Sequence, residues 1–230
     1  MTEQGFIQSS RRVLLPVKRL EGAKLRLEAL LQPVERAQLV MSMLADVVDA
    51  VGRAGFVPCV VSPDPTVLAW ARSCGAAVFE ERRSDDLNQS LEEAAASLLG
   101  DDEPLVVVLP DTPRATAAEI GALVARFESS GSQKRAVIVP DRWRTGSNAL
   151  MVKPWKQFDL CFGEQSLKGH EAAAARAGFS LTRLESNGLS EDVDGVDDLR
   201  AVLRLGSGTR TRDYLMSIGA EARLTRAALG

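Results

Sequence analysis

Lys18, Arg19, Lys24 and Arg26 crowd into one stretch directly after an apolar run, Arg12 to Val17 (RVLLPV). A polyphosphate needs fixed positive charge and hydrogen-bond donors, and a loop that follows a strand supplies both. Asp111 follows a second apolar run, LVVVLP. An acid at the carboxyl end of a central strand is well placed to hold a metal ion on a phosphate. Asp192-Val193-Asp194 is the sharpest pattern. In extended backbone its i, i+2 spacing puts both carboxylates on one face, and two hard oxygen ligands side by side suit Mg2+. Arg144-Thr145-Gly146-Ser147-Asn148 is small and polar, a loop able to present N–H groups to an anion. Gly163 to His170 (GEQSLKGH) opens a helix. With Ser166 as N-cap, its free N–H groups would face outward, and His170 would lie one turn on along the same side.

Each feature also has a plainer reading. The four cations fit a solvated helix face. Asp111 fits an ordinary turn in Pro-Asp-Thr-Pro. Asp194 precedes a helix and has Asp197 three residues on, so it also reads as an N-cap. Residues 144–148 read as a turn, and a lone helical histidine reads as a packing residue. No GxxxxGK[ST], GxSxG or HExxH motif occurs, so nucleophilic covalent catalysis has no candidate. Residue types alone lead to an α/β domain that binds a phosphorylated ligand.

The elements that would position these residues alternate in type. Strand-like runs are 12–17, 57–62, 76–79, 105–109, 136–139 and 149–152, with an edge strand at 181–184. Helical stretches are 33–54, 66–73, 87–99, one opened by the capping box Thr116-Ala-Ala-Glu119, 166–177, 196–205 and the tail after Gly208. The polar stretch 80–86 reads as a loop. Strands alternating with helices, several apolar throughout, imply a mostly parallel sheet covered on both faces. Ligands then sit beyond the carboxyl ends of the strands, near Lys18, Ser62, Asp111 and Asp141.

Composition narrows the class. The 230 residues carry a net charge of −3 with both signs interspersed, unlike a nucleic-acid surface. No apolar run reaches the roughly 18–20 residues of a membrane span. Residues 1–10 read as a loose tail, and 11–230 as one domain. Cys59, Cys74 and Cys161 are odd in number and far apart, which suggests reduced, small buried hydrophobes in a cytosolic protein. With a single histidine, a structural zinc site is not expected.

Taken in order, LPVKRLEGAKLRL (15–27), VVSPD (60–64), LN (87–88), LPDTP (109–113), DRWRTGSNAL (141–150), FGEQS with His170 (162–170), EDVDGVDDL (191–199) and LGSGTRT (205–211) resemble one family. It is the 2-phospho-L-lactate or phosphoenolpyruvate guanylyltransferases of coenzyme F-420 (deazaflavin) biosynthesis. The resemblance implies a single-domain, three-layer nucleotidyltransferase fold, Rossmann-like with a mixed, mostly parallel sheet, of the kind shared with molybdenum-cofactor guanylyltransferases. It implies Mg2+ at Asp111, Asp192 and Asp194. The acid substrate would contact Thr145, Gly163 and Ser166, with His170 beside them. Lys18, Lys24 and Arg26 would face the triphosphate as the catalytic cations, and Asn88 would lie near the nucleoside. The implied partners are GTP and a small phosphorylated carboxylic acid, and a homodimer is implied too. Leu25, Pro110 and Thr112 depart from residues usual in the family. A nucleotidyltransferase with another phosphorylated acceptor, a DxD nucleotide-sugar glycosyltransferase and a non-catalytic GTP-binding regulator are the rival readings.

Overall fold

The β-branched and leucine-rich runs form the strands of a seven-stranded sheet. The computed structural model describes residues 11–81 and 86–227, so the expected tail at 1–10 and most of the polar loop at 80–86 lie outside the described residues. The strands are β1 (Arg12–Pro16), β2 (Val57–Ser62), β3 (Ala77–Glu80), β4 (Leu105–Val108), β5 (Arg135–Pro140), β6 (Ser147–Lys153) and β7 (Ser180–Arg183). Helices α1 (Pro33–Arg53), α2 (Pro65–Ser73), α3 (Leu87–Leu98), α4 (Ala117–Glu128) and α5 (Ser166–Ala177) alternate with them. Three more helices, α6 (Val196–Leu205), α7 (Arg210–Ser217) and α8 (Ala220–Ala227), close the chain.

Helix boundaries follow local chemistry. Pro33 opens α1, where its missing N–H costs nothing, and the Glu35 carboxylate accepts from the Gln32 N–H at 2.8 Å. The expected capping box is present: Glu119 N–H donates to the Thr116 hydroxyl at 3.3 Å, and Thr116 N–H donates back to Glu119 at 3.0 Å. Gly178 ends α5 in the left-handed region, which a Cβ would strain.

The sheet order is β3-β2-β1-β4-β6-β5-β7. Every strand runs parallel except β6, which is antiparallel to both β4 and β5. This is the mixed, mostly parallel sheet that the family resemblance implies, and the reversal follows from the connection. Only a short polar turn joins β5 to β6, and a parallel return needs a crossover of a dozen or more residues. Asp141 ties that turn together, accepting from the Thr145 N–H at 2.8 Å and the Thr145 hydroxyl at 3.0 Å.

Side-chain alternation divides the core between two faces. Val13, Leu15, Val106 and Val108 point to the layer of α1, α2 and α4. Leu14, Leu105, Val107 and Leu150 point to the layer of α3 and α5. Each fully buried leucine contributes about 2 kcal/mol, so a one-residue slip of a central strand would forfeit several at once. A third cluster joins Leu27 and Leu31 of the basic stretch, Leu39 and Met43 of α1, and Val193, Leu199, Val202 and Leu215 from the chain's end. That cluster binds the basic loop and the Asp192–Asp194 segment to the same helix.

Of the cysteines only Cys59 is buried; Cys74 is exposed and Cys161 half-buried, which corrects the expectation of three core thiols. Cys74 caps α2 at the surface, where its neighbours leave it open. Gly188 lies on the approach to Asp192. Its N–H donates to Glu119 at 2.6 Å, and a Cβ there would collide with the Arg114 carbonyl oxygen and the Glu119 carboxylate. Gly188→Ala is therefore expected to lose about 1–3 kcal/mol. Urea melts check this: the midpoint should fall with the slope unchanged, and an unaltered midpoint would show the loop yields freely.

Candidate active site

The carboxyl ends of β1 and β4 open into a cleft of about 960 Å3. Lys18, Arg19, Lys24, Leu25 and Arg26 wall one side, and Pro110, Asp111 and Asp194 face them. The basic stretch is not a solvated helix. After β1 it runs as a loop with one 3-10 turn at Leu25–Leu27, stitched at two points. Leu20 N–H donates to the Asp64 carboxylate at 3.0 Å, and buried Arg36 donates to the carbonyls of Ala23 (3.0 Å) and Leu31 (2.9 Å). Asp64 also caps α2 through Thr66 N–H at 2.9 Å. Pro63-Asp64-Pro65 was legible only as a turn; its second task, holding the basic loop, needed the fold.

Lys24 adopts a left-handed conformation with φ of 48°, which aims its side chain inward while Arg26 stays exposed. The Lys24 ammonium lies 2.8 Å from Asp111 Oδ2 and 2.7 Å from Asp194 Oδ1. Burial alone would lower the Lys24 pKa; the two carboxylates outweigh it and hold the ammonium charged well above its ordinary range. Burial likewise pushes the Asp194 carboxyl up, yet Lys24 and then Arg26 bring it below the usual carboxylate value. Val193 N–H donates to the Asp111 carbonyl at 2.9 Å, so main-chain pairing fixes the two acidic loops side by side.

Asp194 is not the N-cap of α6. That place belongs to Gly195, and the N–H groups of Asp194 (2.8 Å) and Gly195 (2.6 Å) both donate to Asp198 Oδ2. Asp198 pairs in turn with Arg142 from the β5–β6 turn. Asp192 points elsewhere than its neighbour: its Oδ1 accepts from Asn148 Nδ2 at 3.0 Å. Burial raises the Asp192 pKa, with the charges of Asp111 and Asp194 adding to it. The roles of Asn148, Asp198 and Arg142 carry no sequence signal, because only long-range packing brings them to the acids.

Three carboxylates thus share one neighbourhood, but among the described residues no three acids, histidines or cysteines converge tightly enough to hold a metal ion alone. Asp111 Oδ1 is buried and has no hydrogen-bond partner. A buried, unpartnered anionic oxygen beside a second carboxylate fits a hard divalent cation whose other ligands come from substrate phosphates, the usual manner of Mg2+.

Beside the acidic segment, joined to it by Arg142 and Asn148, lie the β5–β6 turn and the approach to α5. Thr145 and Gly163 are exposed, the latter with φ of 128°. Ser166 is not the N-cap of α5. Gln165 takes that role in a left-handed conformation without a side-chain cap, and Ser166 is the first helical residue, nearly buried. One N–H of that first turn is already used, Leu167 donating to the Thr145 carbonyl at 3.2 Å. His170 is fully buried, which corrects its placement beside a substrate. Its Nε2 accepts from the Cys161 N–H at 2.9 Å, so the proton sits on Nδ1, which lies 3.1 Å from the Ser147 hydroxyl. Asn88 turns away from the cleft. Its Oδ1 accepts from the Phe162 N–H at 2.7 Å, and its Nδ2 donates to the Phe162 carbonyl at 3.0 Å.

Burial pushes the His170 imidazole down to about 4, so the fold holds it neutral. In the unfolded chain it titrates near 6.5. The unfolded state then binds the extra proton, and stability present above pH 6.5 drains away as pH falls toward 4, by about 3 kcal/mol. The stability gap between the wild type and His170→Asn should hold steady above pH 6.5 and shrink below it. Parallel curves down to pH 4.5 would contradict a neutral buried imidazole.

Among the described residues, the strand order and the one reversed strand, with opposed cations and carboxylates at the ends of β1 and β4, are those of a nucleotidyltransferase fold. Solved structures agree on the fold. A Methanothermobacter thermautotrophicus nucleotidyl transferase superposes with a TM-score of 0.66 at 16% identity, covering 84% of this chain and 96% of the other. A Desulfovibrio desulfuricans G20 protein assigned to the nucleotide-diphospho-sugar transferases reaches 0.76 at 16% identity, over 95% and 98%. The chain belongs to the CofC-like guanylyl transferase family, which matches residues 11–229. A phosphoenolpyruvate guanylyltransferase of Rubrobacter xylanophilus is 39% identical over 201 residues, 86% of this chain and 96% of the relative. A 2-phospho-L-lactate guanylyltransferase of Methanothermobacter thermautotrophicus is 33% identical over 205 residues, 89% of each. Membership in an enzyme family sets aside the glycosyltransferase and the non-catalytic regulator. Among the described residues no helix is long and apolar enough to cross a membrane.

Proposed function

We propose that the protein transfers GMP from GTP to the phosphate of a phosphorylated three-carbon acid and releases pyrophosphate, a step of coenzyme F-420 biosynthesis in the cytosol. The observation that carries this reading is the Lys24 ammonium clasped by Asp111 and Asp194 in the cleft beyond β1 and β4, beside Lys18, Arg19 and Arg26. The family's own name and the relatives named for phosphoenolpyruvate and 2-phospho-L-lactate support the donor and the acceptor class. Phosphoenolpyruvate, 2-phospho-L-lactate and 3-phospho-D-glycerate each put a carboxylate and a phosphate on a three-carbon frame.

An acceptor phosphate oxygen attacks the α-phosphorus of GTP in line. The bond to the bridging oxygen breaks, and pyrophosphate departs with its electron pair. The nucleophile is ionised at neutral pH, so no general base is needed, and the task becomes positioning and charge. Lys18, Lys24 and Arg26 take the triphosphate. Asp111, Asp192 and Asp194 would hold Mg2+, which supplies charge neutralisation where two anions meet. Until nucleotide arrives, Lys24 serves the two acids as an internal counter-ion. Thr145, Gly163 and Ser166 receive the acid, with the start of α5 toward an anionic end. The family resemblance also carries a homodimer, which light scattering of the purified chain tests.

Mass spectrometry of products from GTP with the three acids in competition is the direct test. More than one guanylylated acid is expected, since such small differences shift selectivity by only about 1–3 kcal/mol. Equal consumption of ATP, or no guanylylated acid at all, would overturn the proposal.

A further inference from the structure

The segment between Leu160 and α5 is irregular, yet Phe162 is 6% exposed, so its backbone groups need partners that no strand or helix provides. Two side chains provide them. His170 takes the Cys161 N–H at 2.9 Å. Asn88 takes both polar groups of Phe162, accepting from N–H at 2.7 Å and donating to the carbonyl at 3.0 Å. A carboxamide is suited to this, because it presents an acceptor and a donor side by side in one plane, as a peptide does; a carboxylate offers acceptors only. Asn88 stands in the first turn of α3, held there by its own N–H bond to Asp86 at 2.9 Å, and its neighbour Leu87 lines the nucleotide cleft. Phe162 immediately precedes Gly163 and lies four positions before Ser166.

We infer that Asn88 is a positioning residue that locks the acceptor loop to the first turn of α3, so that affinity for the acid is set from the nucleotide side of the cleft. The Asn88 carboxamide is spent on Phe162, and Asn88 is not among the residues that line the cleft. It acts by fixing the backbone that carries Gly163 and Ser166, and the inference therefore rests on the proposed acceptor role of those two residues. Removing the amide leaves a buried N–H and a buried carbonyl unpaired, and the loop must relax to rehydrate them. Aspartate in its place would still accept from the Phe162 N–H, but would set a negative oxygen against the Phe162 carbonyl.

The test measures KM for each substrate at saturating levels of the other in the wild type, Asn88→Ala, Asn88→Asp and Ser166→Ala, with hydrogen exchange at the Phe162 amide. The KM for the acid should rise about tenfold or more in both Asn88 variants, with the KM for GTP within about twofold. Phe162 exchange should quicken in Asn88→Ala. Asn88→Asp keeps the side-chain size and carries the test if the alanine variant melts below assay temperature. A rise confined to GTP would make Asn88 a nucleotide contact and overturn the inference. Equal rises for both substrates would show general damage and overturn it as well. An unchanged acid KM in the Asn88 variants beside a raised one in Ser166→Ala would remove the tether and leave the proposed function standing. If the wild type guanylylates no acid, the functional reading itself has failed.

Discussion

Lys24→Met is expected to lower kcat about a thousandfold while the protein stays folded. The wild-type ammonium is nearly buried and bonded to Asp111 and Asp194 at 2.8 and 2.7 Å. In the proposed reaction, that fixed charge would meet the negative charge building at the α-phosphoryl group. Preorganised donors of this kind contribute about 3–4 kcal/mol each to a transition state, which is two to three decades in rate. Methionine keeps the length and apolar stem of lysine, so packing persists while the charge goes. Lys24→Arg should recover only part of the rate, because a planar guanidinium cannot sit between two carboxylates in the space of an ammonium. A second reading comes from melts without nucleotide. Loss of the counter-ion leaves two acids facing each other, and Mg2+ should then raise the melting temperature of Lys24→Met more than that of the wild type. A Lys24→Met enzyme within a few fold of wild-type kcat would show that the ammonium only holds the acids in place.

Asp111→Asn should cost more than a hundredfold in kcat, and added Mg2+ should not restore it. One Asp111 oxygen is paired with Lys24, and the other is buried without a partner. An asparagine of the same shape keeps the packing but removes the anion that a hard cation requires. A deficit of about 3 kcal/mol in transition-state stabilisation corresponds to that factor. Asp192→Asn should follow the same pattern, since Asn148 can pair with an amide oxygen as it does with the carboxylate. Titrating Mg2+ to saturation in steady-state assays separates weakened binding from lost chemistry; near-normal rates at high Mg2+ would take Asp111 out of the site.

Much of the scaffold was readable from the chain because its signals are local. The LVVV run of β4, the Thr116 capping box and Gly178 at the end of α5 are each decided by neighbours in sequence and need no distant partner to declare themselves. The acid and basic clusters were readable as residue types, and the cleft does gather Lys18, Lys24, Arg26, Asp111 and Asp194. What escaped depends on groups far away in the chain. Lys24 reaches Asp194 across 170 positions, and Asn88 reaches Phe162 across 74. Helical spacing puts His170 on the side of Ser166, but whether that side is buried is decided by Phe158 and Phe162 packing on its ring. The direction of β6 was legible in principle from the turn before it, since so short a connection cannot cross a sheet.

The reversed strand has an evolutionary consequence. Because β6 is hydrogen-bonded on both sides, to β4 through Val108 and Ala149 and to β5 through Val139 and Ala149, its register is pinned twice. The hairpin turn at its head can therefore change sequence without shifting the strand that leads to Asp111. The strand that leads to Asp111 is thereby buffered from changes at the exposed turn positions Trp143 and Arg144. Such an arrangement lets a lineage edit those exposed positions while Arg142 and Asn148, which reach the acidic segment, are kept.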